Sequence, residues 1–184
     1  MTYDPRKHHR HSIRLKGYDY AAPGAYFVTI VTHQRACLFG EIVGGEMRLN
    51  DIGRIADNCW RAIPDHFPNV ELDTHVVMPN HLHGIIVIRE NDLADSNGRG
   101  TRSRAPARME QFGQPVPGTL ATIIRQFKSS VTRLAIKYYG ESNIWQRNYH
   151  DHIIRNETEW AKIRDYIETN PLRWADDAEN PPGG

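Results

Sequence analysis

Residues 75–88 read His75-Val-Val-Met-Pro-Asn-His81-Leu-His83-Gly-Ile-Ile-Val-Ile88 and place two imidazoles, His81 and His83, in an otherwise apolar run. A short apolar run of this kind predicts a buried strand. Alternate side chains of a strand project from one face, so His81 and His83 would stand side by side and could hold one divalent cation. Two protein ligands leave coordination positions open, which suits catalysis better than a closed structural site. From spacing alone, a pair of half-buried core histidines is the commoner meaning of so short a motif.

A second group of polar residues lies on a helix predicted near the end of the chain. We expect Asn156 to cap this helix, with Glu159 as its reciprocal partner, and the proline at 171 to end it near Asn170. Tyr166 and Asn170 are four residues apart, so they would lie one turn apart on the same face. The adjoining apolar stripe consists of Trp160, Ile163 and Ile167.

The phenol of Tyr166 is a candidate nucleophile. Its usual pKa is about 10, so near neutral pH it needs a metal or a base, and a substrate on which the metal can neutralise charge. Phosphodiesters meet that requirement. The alternatives are a tyrosine at the edge of the core and, for Asn170, an ordinary residue at a helix end before proline.

The remaining elements are predicted from hydrophobic periodicity and turn residues. We expect a strand at 26–33, a hairpin at 38–49, a helix from its cap Asp51 to Pro64, strands at 72–78 and 81–88, a helix at 119–139, and a strand at 150–155 before the terminal helix. This order, β-α-β-β-α-β plus a helix, predicts an α+β fold of the ferredoxin-like (split βαβ, RRM-like) type. Its first and third strands are central, so the histidine pair would lie mid-sheet on a rigid surface.

Several motifs occur together in a fixed order. These are Val77-Met-Pro-Asn-His81-Leu-His83, Trp145-Gln-Arg-Asn-Tyr149, Asp151-His-Ile-Ile-Arg-Asn156 and Asp165-Tyr-Ile-Glu-Thr-Asn-Pro171. With them the chain resembles the HUH single-tyrosine transposases, and within these the REP-associated tyrosine transposases of bacteria, from about residue 13 to 174. Members often carry an aromatic residue where this chain has His150.

The resemblance implies roles for individual residues. His81 and His83 would bind a divalent metal, Mg²⁺ or Mn²⁺, with Asn170 as third protein ligand and Tyr166 as nucleophile. The implied activity is that of a metal-dependent single-strand DNA endonuclease and strand transferase. It would cut near hairpin-forming palindromic repeats through a 5′-phosphotyrosine. Two alternatives from other classes stay open: a non-catalytic nucleic-acid-binding regulator and a metal phosphoesterase that uses water.

Candidate DNA contacts are basic, aromatic or amide side chains in four places. The formal net charge of +1 does not indicate a nucleic-acid binder, so the prediction depends on local clusters. The candidates are Arg14 and Lys16 in the N-terminal arm, Arg125 and Lys128 on the second long helix, Trp145, Gln146 and Arg147 before the last strand, and His152 and Arg155 in it. A solvated basic face is the default for the helix, and Trp145 is equally plausible as a core residue.

Length and composition limit the possible domain organisation and cellular location. We expect residues 1–24 to form a basic arm, 25–175 one domain with a flexible insertion at 90–117, and 176–184 a tail. Cys37 and Cys59 lack the spacing of a metal or redox motif, so we expect reduced thiols. With no apolar segment of membrane-spanning length we expect a cytoplasmic protein, and with no P-loop one that needs no nucleotide hydrolysis. With DNA as its partner, we expect it to be nucleoid-associated and to be a monomer or homodimer.

Overall fold

The computed structural model describes residues 22–90 and 118–180. The strands are β1 (Gly24–Val31), β2 (Gly40–Val43), β3 (Glu46–Leu49), β4 (Val70–Val77), β5 (His81–Ile88) and β6 (His150–Ile154). The helices are α1 (Asp51–Arg61), α2 (Ile63–His66), α3 (Leu120–Tyr139) and α4 (Glu157–Thr169), and 3-10 turns occupy His33–Arg35 and Asn170–Asp176. The predicted N-terminal arm up to residue 21 and most of the predicted insertion lie outside the described residues.

The main sheet has four antiparallel strands in the order β4-β5-β1-β6. Counted without the small β2-β3 hairpin, this is the order 2-3-1-4, so the prediction of a ferredoxin-like α+β fold with the first and third strands central is confirmed. The β4-β5 connection is a tight turn in which the Met78 amide donates to the His81 carbonyl at 2.8 Å. β5, which begins with the histidine pair, is therefore paired along both of its edges.

Helices cover both faces of the sheet because alternate strand residues point to opposite sides. Helices α1 and α3 pack on one face, in a core that includes Tyr26, Val28, Ile30, Leu82, Ile86, Trp60 and Phe127. Helix α4 packs on the other face, in a smaller core formed by Ala25, Ile85, Ile154 and Ile167. No helix in the described ranges has the length and apolarity needed to cross a bilayer.

Both ends of the first predicted helix differ from the prediction. Asn50, not Asp51, caps α1: its backbone is extended and its side chain accepts from the Gly53 amide at 2.9 Å, while Asp51 is already the first helical residue. Helix α1 also ends at Arg61, before Pro64. Pro64 instead lies in the first turn of α2, where a residue without an N–H is tolerated.

The cap of α4 is partly as predicted. Asn156 accepts from the Glu159 amide at 2.9 Å, but the Glu159 carboxylate accepts from the Arg155 amide at 2.8 Å instead of returning to Asn156. It also bonds the ring of His152 at 2.7 Å. The helix start is thereby tied to the end of β6.

Gly84 lets the histidine strand pack closely against the helical layer behind it. Its Cα faces the side of the sheet covered by α1, and the fully buried indole ring of Trp60 occupies the space where a β-carbon would be. A larger residue would have to push the strand or the indole away. The strand that carries His81 and His83 is therefore fixed from the back as well as along its edges.

We predict that Gly84→Ala lowers the free energy of unfolding by about 1–3 kcal/mol, the usual cost of overpacking a core. Denaturant unfolding measures the change. The matched control is Gly24→Ala in the neighbouring strand, where the added carbon would lie an ordinary 3.6 Å from the Tyr26 hydroxyl. Equal stability of the two variants would contradict the prediction, and Trp60→Phe in the Gly84→Ala background should recover part of the loss.

Candidate active site

The two histidines lie side by side on the face of the sheet covered by α4. His83 is paired across the ladder with Thr29, and His81 with Val31. Both imidazoles are buried, with ring centroids 4.4 Å apart. The period of two along a strand thus gives the geometry expected from the sequence.

Each imidazole is oriented by a hydrogen bond at its Nδ1 atom. His81 Nδ1 lies 2.8 Å from Asn80 Oδ1, and His83 Nδ1 lies 2.9 Å from Thr29 Oγ1. An amide oxygen can only accept, so His81 carries its proton on Nδ1 and leaves Nε2 with a lone pair. Such a bond is the usual device that fixes the tautomer and direction of a metal-binding histidine.

Tyr166 faces the pair from α4. Its hydroxyl lies 3.3 Å from His83 Nε2, and its ring meets the edge of Phe27, which also stacks on His83 with centroids 5.4 Å apart. Tyr166 is nevertheless 38% exposed. The Tyr166 side chain is therefore only partly covered by the protein.

A carboxylate on the edge strand β4 anchors the helix that carries Tyr166. Asp73 accepts from the indole N–H of Trp160 and from Arg164 Nε, the latter at 2.8 Å. Asp73 lies at an irregularity in the β4-β5 register, between Leu72 and His75. This contact and the apolar residues Ile163 and Ile167 hold α4 on the sheet.

The segment after α4 turns back over His81. Asn170 is buried, and its amide nitrogen donates to the Asp177 carboxylate at 2.9 Å. Ligand atoms of His81, His83 and Asp177 all lie within 4.8 Å of one another. The ring of Trp174 lies 6.0 Å from that of His81, so the segment both covers the histidine and adds a carboxylate to its surroundings.

Asn80 ties this returning segment to the strand. Its amide nitrogen donates to the carbonyl of Glu179 at 2.7 Å and to that of Arg35 at 3.1 Å, while its oxygen bonds His81. Arg35 in turn forms an ion pair with Glu179 at 3.1 Å. One buried side chain therefore sets the His81 ring and the position of residues 177–180 together.

The arrangement fits a divalent cation. Two buried polar atoms here, His81 Nε2 and Asn170 Oδ1, make no hydrogen bond to any described residue. An unpartnered buried polar atom is costly, and a cation held by this pair and the neighbouring carboxylate would satisfy both atoms. Imidazole nitrogen with amide and carboxylate oxygen is a donor set that suits Mn²⁺ or Mg²⁺ among other divalent ions.

Burial keeps both imidazoles neutral. It lowers the pKa of His81 to about 4, an effect that the Asp177 carboxylate offsets only in part. Burial also holds the pKa of His83 well below its usual value, and the neighbouring His81 adds to the effect. Neutral imidazoles have the lone pairs that a metal requires.

Burial raises the pKa of the Tyr166 hydroxyl, and the Asp177 carboxylate adds to the shift. The phenol therefore keeps its proton at neutral pH. Any reaction at this oxygen needs positive charge nearby, which is the role that a cation at the histidine pair would fill.

The predicted DNA contacts differ in how far they are exposed. Trp145 is half-buried between Phe39 and Phe127, with centroids 5.3 and 5.5 Å away, whereas Gln146 and Arg147 are exposed where β1 ends. The His152 ring is hydrogen-bonded to the Glu159 carboxylate. The exposed side chains of Arg125 and Arg155 lie on α3 and just after β6, and Arg14 and Lys16 lie outside the described residues.

The structure adds residues that sequence reasoning missed. Asp177 falls in the segment we assigned to a tail, and no periodicity signals that it returns to the histidines. Thr29 and Phe27 reach the site only through strand pairing. Asn80 could have been found, because it directly precedes His81 in a turn.

No family model matches the chain. Comparison with individual proteins finds relatives in sequence and in structure. An uncharacterized protein of Haemophilus influenzae (strain ATCC 51907 / DSM 11121 / KW20 / Rd) is 43% identical over 178 residues, 95% of each chain. A protein of the same strain, whose name places it with the REP-associated tyrosine transposases, is 27% identical over 84% of this chain and 74% of its own. The solved structure of a REP-associated tyrosine transposase bound to a REP hairpin matches with a TM-score of 0.58 at 20% identity, over 87% of this chain and 73% of that one.

We predict that Mn²⁺ binds the wild-type protein at a site that requires His81 and His83. Calorimetric titration should detect binding in the wild type and in the control His66→Ala, which removes an exposed histidine of α2, but not in His81→Ala/His83→Ala. Chelation should leave cooperative unfolding in place, because an open site is not what holds the fold together. Binding that survives the double substitution, or unfolding on chelation, would contradict the assignment.

Proposed function

We propose that this chain, a member of a transposase family that resembles the REP-associated tyrosine transposases, is a metal-dependent enzyme that cuts and rejoins single-stranded DNA through Tyr166. A transposase-like, DNA-binding function follows from the family. The observation that supports the finer proposal is the hydroxyl of the partly exposed Tyr166, 3.3 Å from Nε2 of a buried, oriented histidine.

We assign the metal to His81, His83 and Asn170, with Asp177 as a further oxygen donor in reach. The ion, Mg²⁺ or Mn²⁺, would supply charge that neutralises negative charge developing on the scissile phosphate. Asn80 would hold His81 in the tautomer that leaves Nε2 free for a metal, and the hydrogen bond to Thr29 orients the His83 ring. Asp73 on β4, which accepts hydrogen bonds from Trp160 and Arg164, would hold helix α4 and its Tyr166 at a fixed distance from the sheet.

The proposed step exchanges one phosphodiester for another. The Tyr166 oxygen attacks the phosphorus, the bond from phosphorus to the 3′ oxygen breaks, and that oxygen leaves as a hydroxyl after gaining the proton that the phenol gives up. The products are a 5′-phosphotyrosine and a free 3′ hydroxyl. Bond energy is retained, so a 3′ hydroxyl can reverse the step and join strands without ATP.

We propose as substrate a single strand that flanks a palindromic hairpin. The relative with a solved structure binds a REP hairpin, and a hairpin stem could fix the register of the cut by its shape. Basic side chains would add sequence-independent grip. The proposed contacts are Arg14, Lys16, Arg125, Trp145, Gln146, Arg147, His152 and Arg155. Lys128, also predicted as a contact, bonds the main chain at Gln146 and Asn148.

We predict that Tyr166→Phe binds hairpin DNA but loses cleavage by on the order of a thousandfold or more, because the nucleophilic oxygen is gone. The measurement uses oligonucleotides labelled at either end, resolved under denaturing conditions. A 3′-label should migrate with the wild-type protein and a 5′-label should not. The matched control is Tyr138→Phe, which alters an exposed tyrosine of α3 and should leave the adduct intact.

The same gel separates the alternatives. Cleavage without an adduct, retained in Tyr166→Phe, would identify a phosphoesterase that uses water. Hairpin binding by the wild type without cleavage in either Mg²⁺ or Mn²⁺ would identify a regulator. Either result would overturn the proposed mechanism while leaving the family membership in place.

We predict that the single-stranded flank of a hairpin is cut at least about tenfold faster than the same sequence in full duplex, since bending a duplex so that its scissile phosphate reaches Tyr166 costs several kcal/mol. Hairpin, unstructured strand and duplex are compared at one ionic strength. Equal or faster cutting of the duplex would contradict the prediction.

A further inference from the structure

Lys128 reaches from α3 to a loop at the end of the sheet that holds the active site. Its ammonium donates to the carbonyls of Gln146 at 2.6 Å and Asn148 at 3.0 Å. In return, the Trp145 indole donates to the Lys128 carbonyl at 3.1 Å. We call residues 145–148 the 145–148 loop.

The 145–148 loop adjoins the candidate active site through strand pairing. The Gln146 amide donates to the Val31 carbonyl at 2.9 Å, and Val31 is the ladder partner of His81. After the loop, His150 pairs with Thr29, which pairs with His83 on its other side. The loop therefore lies at the histidine end of the sheet.

The Lys128 ammonium supports the shape of the loop. Asn148 has a left-handed backbone (φ 67°), a conformation that is uncommon for non-glycine residues and that asparagine adopts more readily than most. The Lys128 ammonium bridges the two carbonyls on either side of Arg147. The side chains of Gln146 and Arg147 are exposed, and neither bonds a described residue through its side chain.

Lys128 is badly placed to grip a phosphate itself. Two of its three N–H donors are used by carbonyls, and its ammonium lies 5.9 Å from the centroid of the Trp145 ring. It is half-buried, and burial lowers its pKa to about 8. No described carboxylate forms an ion pair with it, so the two carbonyls are the partners that fix its position.

We propose that Lys128 is a positioning residue that shapes the 145–148 loop so that Gln146 and Arg147 read nucleotides in the single-stranded flank of the hairpin. This rests on the proposed function, because it takes single-stranded DNA as the ligand of the neighbouring site. The loop supplies selectivity between flank sequences. Phosphate contacts elsewhere supply the affinity that is independent of sequence.

The test distinguishes a loss of selectivity between flank sequences from the effect of removing a positive charge. A hairpin oligonucleotide library with a randomised single-stranded flank is bound by the wild type, Lys128→Met, Lys128→Arg and the control Lys137→Met, which removes a charge from the same helix away from the loop. We expect Lys128→Met to lose about tenfold in enrichment of preferred flanks, comparable to one lost base contact, and Lys128→Arg to recover part of it. Lys137→Met should enrich the same flanks as the wild type.

Salt dependence decides between positioning and phosphate contact. The slope of log affinity against log salt should be the same in Lys128→Met as in the wild type. A slope smaller by about 0.7–0.9, with equal loss for every flank, would mean that Lys128 contacts a phosphate and would overturn the proposal.

A second arm covers a Lys128→Met protein that fails to fold. Arg147→Ala and Gln146→Ala alter exposed side chains and should each reduce the same enrichment; unchanged enrichment in both would overturn the proposal. A wild-type protein that binds and cuts the library without any flank preference would overturn it too. Failure of the wild type to bind any hairpin would instead refute the proposed function.

Discussion

The pairing of β5 with a neighbour along each edge is the constraint on which the site depends. A strand hydrogen-bonded on both sides cannot slip by one residue without turning its whole set of side chains to the opposite face. The register with β1 places His83 beside Thr29 and His81 beside Val31, and the register with β4 places the anchor of the tyrosine helix on the adjoining strand. The imidazole nitrogens and the Tyr166 hydroxyl are thus located relative to one rigid element.

The chemistry of the site follows from burial balanced by selective hydrogen bonding. Burial keeps the imidazoles neutral and the phenol protonated, while Asn80 and Thr29 satisfy only the Nδ1 atoms. At this site the buried side-chain atoms without a hydrogen-bond partner among the described residues are His81 Nε2 and Asn170 Oδ1. A fold that satisfies most of its buried polar groups tolerates such a gap where a ligand fills it.

Much of the fold was predictable because its signals are local. Apolar periodicity gave the helix before Gly140 and the strand that begins at His81, and spacing alone placed Tyr166 one turn from Asn170. Positions set by long-range contact were not predictable from the residues. Asp177 returns to His81 through a 3-10 turn that has no sequence signature, and the choice of Asn50 over Asp51 as cap depends on a backbone angle.

The two edge strands of the main sheet differ from its centre in a way that bears on how the protein behaves at high concentration. β4 is interrupted at Leu72–His75 and carries Glu71 and Asp73, and β6 is only 5 residues long, with His150, Asp151 and His152 among them. A long, flat, apolar edge would be a template for pairing with another chain, whereas irregular, short and charged edges resist it. The anchor of the tyrosine helix at Asp73 thus also protects the sheet against edge-to-edge aggregation.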